Sequence, residues 1–159
     1  MGFGLNVLKT KTPKIFCIGC NKTGTTSLKV ALKELGYRIG DQTKAELLID
    51  NYINRDFKSI AAYCKTADAF QDVPFSFKHT YLAMDVLIPG SKFILTVRDD
   101  ERQWYESVIR FQTKMYGKNG QVPTYKELRN ANYRENGYVW KVRRFLTFIQ
   151  MKTCMTLIS

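Results

Sequence analysis

Lys22, Gly24 and the hydroxyl residues Thr25, Thr26 and Ser27 lie within six positions of one another, in the stretch KIFCIGCNKTGTTSL over 14–28. A lysine charge, a glycine that lets backbone approach closely and a run of N–H and O–H donors at a helix start form a cradle for an anion such as phosphate or sulfate. A second cation of interest is Arg98, which ends the run KFILTVR.

These groups need elements to present them. Ile15, Phe16, Cys17 and Ile18 are the short apolar run of a buried parallel strand, and Leu28, Ala31, Leu32 and Leu35 recur at i, i+3, i+4, i+7, the face of an amphipathic helix that Gly36 closes. Downstream, the spacing predicts a helix over 43–54 and another through Phe57, Ile60, Ala61 and Cys64. A short strand over Ala67 to Gln71, a helix over 78–88, a turn at Pro89-Gly90 and a strand over Lys92 to Val97 follow. The segment VRDDERQWYESV opens a further helix, with Asp99, Asp100 and Glu101 suited to its first turn and Trp104, Val108 and Phe111 to its buried face. Alternating strands and helices predict an α/β fold: three α/β/α layers around a mostly parallel sheet. Ligands of such sheets sit at the carboxyl ends of the strands, so Arg98 is expected on the same rim as residues 19–27.

The wording of the loop narrows the anion. Nucleotide triphosphatase loops carry lysine directly after the second glycine, whereas here Gly19-x-x-x-x-Gly24 is followed by Thr25-Thr26 and the lysine is Lys22. No lysine follows Gly24, which also disfavours a kinase. The pattern G-x-x-K-x-G-T-T-x-L resembles the 5'-phosphosulfate loop of sulfotransferases. Arg98 and Ser107 resemble the pair with which that family holds the 3'-phosphate of its donor. The familiar form of this second element is R-[ND]-P with serine eight residues after the arginine; here Asp100 replaces the proline and Ser107 comes nine residues after Arg98. Arg102 is an additional cation nearby. Residues 14–115 carry the likeness.

The resemblance implies a P-loop, sulfotransferase-like fold and transfer of a sulfuryl group from 3'-phosphoadenosine 5'-phosphosulfate to a hydroxyl or amine, with no essential metal. It assigns donor binding to Asn21, Lys22, Thr23, Gly24, Thr25, Thr26, Ser27, Arg98 and Ser107, and places Lys22 at the leaving phosphate. The proton acceptor falls to Asp72, at the end of the predicted middle strand where the family has a histidine or carboxylate, or to His79 in the next helix, whose ordinary pKa suits proton transfer. Helix capping is the structural alternative for Asp72. Tyr105, Phe75, Phe77 and Trp104 are expected either to line a cleft or to pack in the core.

Length and charge bound the remainder. A chain of 159 residues suits one domain over 14–159 after a polar lead-in at 1–13, and 45% hydrophobic residues excludes disorder. A net charge of +11 points to an anionic partner. Four scattered cysteines do not read as a disulfide framework, which leaves reduced thiols as the expectation, and Cys17-x-x-Cys20 reads as strand and loop rather than a redox or metal pair. Asn6 stands where a myristoylation pattern wants Ser or Thr, and the chain lacks an apolar run long enough for a signal peptide or spanning helix, so a cytoplasmic location is expected. Residues 137–159 hold no acid and no recognisable closing loop, the expectation for a shortened member with a small-molecule, glycan or peptide acceptor. Two other readings stand beside the enzyme: a non-catalytic nucleotide- or phosphate-binding module, and a basic protein whose residues Val139, Val142, Leu146 and Ile149 form a helix face for a membrane or RNA, although no RNA-recognition signature accompanies the charge.

Overall fold

The computed structural model describes residues 13–142. Strands β1 (Ile15–Cys17), β2 (Ala69–Gln71) and β3 (Lys92–Ile94) form a parallel sheet in the order β2-β1-β3. Successive side chains of a strand point to opposite faces, and the register exploits this. Phe70, Phe16 and Phe93 share one rung, with ring centroids 5.7 and 5.6 Å apart. Their face packs against Ile49 and Tyr52 of α3 (Ile49–Ile53), Ile60 of α4 (Phe57–Tyr63) and Met84 of α5 (Lys78–Leu87). On the other face Ile15, Cys17 and Ala69 meet Leu28 and Leu32 of α1 (Thr25–Glu34). The three-layer α/β expectation therefore stands, with β1 buried between two helical layers.

The predicted helix over 43–54 is two helices, α2 (Gln42–Glu46) and α3. Leu48 N–H turns back to the Ala45 carbonyl, 3.0 Å away and three residues behind, and this tightened turn ends α2. The break turns Ile49 and Tyr52 into the core and leaves Leu47 exposed. The predicted strand over 92–97 stops at Ile94, whose carbonyl takes the Ile18 N–H at 2.9 Å. Beyond it the chain is drawn to the loop after β1 through Thr96.

Helix α6 (Glu101–Tyr116) starts on Asp100, whose carboxylate accepts from Gln103 N–H at 2.7 Å. It buries no residue fully, so Trp104, Val108 and Phe111 are half-buried rather than core. Phe75 and Phe77 are core instead. After α7 (Tyr125–Arg129), strands β4 (Asn132–Tyr133) and β5 (Glu135–Asn136) make an antiparallel hairpin, and a helical segment runs from 138 to the last described residue. Val139 and Val142 belong to the main core, which corrects their assignment to a free docking face; Leu146 and Ile149 lie outside the described residues, as do 1–12 of the lead-in. Cys17 is a free thiol whose pKa burial pushes up to about 11. Cys64 is likewise a buried free thiol, and Cys154 lies outside the described residues.

Candidate functional site

The carboxyl ends of β1, β2 and β3 open on one cleft of about 550 Å³. The loop after β1 forms one wall, and tertiary contacts fix its shape. Gly19 passes so close to β3's continuation that a Cβ there would lie 2.6 Å from the Thr96 carbonyl oxygen. Thr23 is buried, its hydroxyl donating to the Cys20 carbonyl at 2.6 Å and lying 2.8 Å from the Thr96 hydroxyl. Lys22 and Gly24 take left-handed backbone angles, φ 70° and 97°, and the second suits glycine. Gly24 starts α1 with no capping side chain among the described residues and no acid in the first turn, and a Cβ on it would meet nothing within 4 Å. The first-turn donors at Thr25, Thr26 and Ser27 therefore border the open cleft.

Residues after β3 brace the loop from outside. Arg98 Nε donates to the Lys22 carbonyl at 2.8 Å, and Trp104 Nε1 donates to the Asn21 carbonyl at 2.8 Å. The Lys22 ammonium rests 4.4 Å from the centre of the Phe111 ring. Asn21, Lys22, Arg98, Trp104 and Tyr105 all line the cleft.

Asp72 is a carboxylate on the same cleft. It leaves β2 with φ 56°, a strained angle for a residue with a side chain, and its Oδ1 accepts from Val73 N–H at 3.0 Å. Burial pushes its pKa up to about 6; Glu46 pushes the same way, while Val73 N–H and Lys22 oppose it. The structure brings together Asn21, Lys22, Gly24, Thr25, Thr26, Ser27, Arg98 and Asp72. Thr23 lies beneath the loop as a brace. Ser107 is half-buried on α6 and does not line the cleft, nor does Arg102, which pairs with Glu106 at 2.9 Å. His79 sits in the first turn of α5, also away from the cleft, its pKa lowered by burial and by Arg55 and Lys78.

Two charged residues enter the site that the sequence reading passed over. Glu46, 8% exposed at the end of α2, lines the cleft and pairs with Arg134 from the β4–β5 hairpin. Tyr116, Tyr133 and Tyr138 complete that wall. A glutamate inside the apolar run AELLI was the available signal for Glu46.

A family model described as a sulfotransferase domain matches residues 14–150. The chain belongs to the sulfotransferase family. Its function is accordingly of the sulfotransferase type, a transferase chemistry, on a small α/β domain with a parallel sheet. No curated protein and no solved structure gave a match. Among the described residues no helix is long and apolar enough to cross a membrane.

Proposed function

We propose that this sulfotransferase takes its sulfuryl group from 3'-phosphoadenosine 5'-phosphosulfate and passes it to a hydroxyl or amine acceptor in the cleft between the 19–27 loop and the Glu46–Arg134 wall. The observation that carries the reading is one shared cleft: Lys22, the uncapped first turn of α1 and Arg98 on one side, Asp72 on the other. The donor supplies an activated sulfur whose bond to phosphate oxygen breaks as the acceptor oxygen or nitrogen attacks. Lys22 and the first-turn N–H groups stabilise negative charge on the departing phosphate. Arg98 keeps guanidinium N–H groups beyond the one given to the Lys22 carbonyl, and these suit the second phosphate. Asp72 takes the acceptor's proton, and a carboxyl with a pKa of about 6 is mostly ionised near neutral pH yet basic enough to accept. The donor residues of the proposal are Asn21, Lys22, Gly24, Thr25, Thr26, Ser27 and Arg98, with Thr23 as the buried brace of their loop. Ser107 and His79 are left out because neither reaches the cleft.

The test is calorimetric titration with 3'-phosphoadenosine 5'-phosphate beside ATP and GTP. Preference for the 3'-phosphorylated ligand is expected. Lys22→Ala and Arg98→Ala each remove a charge-assisted contact of about 1.5–3 kcal/mol, a loss of roughly 10- to 150-fold in affinity. Equal or tighter ATP binding refutes the donor. Turnover of labelled donor, lost in Asp72→Asn with nucleotide affinity kept, separates the enzyme from a binding module.

A further inference from the structure

Two carboxylates face this cleft, and their surroundings differ. Glu46 is buried, and a buried glutamate needs partners to remain charged. It has them on both oxygens. Oε2 takes Arg134 Nε, and Oε1 accepts from Gln42 Nε2 at 3.1 Å. The same Gln42 amide reaches the carbonyl of Val73, the residue after Asp72, at 3.5 Å, so the Glu46 network touches the Asp72 turn directly. Arg134 is held for this task by its left-handed backbone at the hairpin tip, φ 65°, and by the Tyr133 ring centred 4.5 Å from its guanidinium. Among the described residues Asp72 has no such counter-ion bond; its side chain accepts one N–H from Val73. The groups acting on Asp72 are Glu46 from α2 and Lys22 from the loop, while Tyr133 and Tyr138 lie within its electrostatic reach from the hairpin and the segment after it, with Arg134 behind Glu46.

We propose that Glu46 is a positioning residue for sulfuryl transfer: bound by Arg134 and Gln42, it makes Asp72 rather than itself the group that takes the acceptor's proton. The proposal rests on the reading of Asp72 as the base. Two carboxylates in one desolvated site resist double ionisation, and the protons come off the pair in two steps. Arg134 decides which carboxylate is left to react: both Glu46 oxygens are committed, to Arg134 and to Gln42, so the proton of the acceptor falls to Asp72. The acceptor O–H or N–H bond then breaks toward an Asp72 oxygen, and the proton leaves with the carboxyl as the new bond to sulfur forms.

The experiment is a carboxyl ¹³C NMR titration of Asp72, assigned by difference from Asp72→Asn, run beside the pH profile of kcat/KM for wild type, Glu46→Gln, Arg134→Gln and Arg134→Lys. Glu46→Gln is expected to lower the Asp72 midpoint and the acidic limb of the profile together, by on the order of one pH unit. Arg134→Gln strips the buried Glu46 of its counter-ion and is expected to move both in the same direction as Glu46→Gln, and Arg134→Lys to return them toward wild type. A shift shared by the two sides of one ion pair and reversed by a lysine in place of the arginine is something simple destabilisation does not produce. An Asp72 midpoint that stays put in Glu46→Gln overturns the proposal whatever the rate does. A midpoint that moves while the limb does not overturns the reading of Asp72 as base, and Glu46 loses its positioning role with it. Turnover abolished at every pH by Glu46→Gln, with Asp72 titrating as in wild type, makes Glu46 the proton acceptor and also overturns the proposal. Should Glu46→Gln fail to fold, the two Arg134 variants carry the test by the direction and rescue of the shift.

Discussion

Gly19→Ala tests whether the loop owes its shape to the crossing with β3's continuation. The added Cβ would lie 2.6 Å from the Thr96 carbonyl oxygen, 2.8 Å from the Thr23 hydroxyl and closer still to the Thr96 hydroxyl. Comfortable contacts begin near 3.5 Å, so the backbones must part by roughly 0.9 Å. Parting breaks the 2.8 Å Thr23–Thr96 hydroxyl pair, a loss of about 1 kcal/mol, and overpacking adds about 1–3 kcal/mol. A total near 3 kcal/mol lowers the melting temperature by roughly 6–12 °C in a domain of this size. Circular dichroism melts measure that fall. Titration with 3'-phosphoadenosine 5'-phosphate should show weakened binding alongside it, because the displaced segment carries Lys22 and Gly24. Thr96→Ala in the same background removes the hydroxyl but not the carbonyl and should restore part of the loss, giving a coupling of about 0.5–3 kcal/mol in the double-mutant cycle. A Gly19→Ala protein that melts within about 1 °C of wild type refutes the crossing as the source of the loop's shape.

Trp104→Phe keeps the ring and deletes the 2.8 Å bond to the Asn21 carbonyl, so nucleotide affinity by calorimetry should fall about fivefold, near 1 kcal/mol, while the melt changes little because α6 buries no residue fully; a large melting loss with unchanged affinity would place Trp104 in the core instead. Asp68 is held at a pKa of about 2, first by its hydrogen bond from Arg38, so the stability it supplies is present above the ordinary carboxylate range and disappears as pH falls toward 2. Asp68→Asn should therefore melt below wild type at neutral pH, with the gap closing in acid, and a gap that stays constant across the melts refutes the linkage.

The anion cradle was legible because its determinants are neighbours in the chain. An apolar run, a glycine, three hydroxyls and a helical period point to an anion loop without knowledge of anything distant, and the register of Lys22 relative to Gly24 points to the sulfotransferase family that the family model matches over 14–150. The expected helix over 43–54 failed for a different reason: periodicity reports which residues are apolar, while the i to i+3 turn at Leu48 is imposed by what Ile49 and Tyr52 pack against. Glu46 and Arg134 are 88 residues apart, so their pairing leaves only an oddity in the sequence, a carboxylate within an apolar run. The two bonds that brace the loop leave even less trace. Arg98 and Trp104 reach it across 76 and 83 residues, and both donate to main-chain carbonyls, which any residue would have offered. Nothing in the identity of Asn21 or Lys22 advertises them. The loop's residue types thus carry the family resemblance, whereas its bracing is encoded in residues after β3, and a sequence bearing the loop without donors at those positions would keep the resemblance while losing the pre-organised geometry.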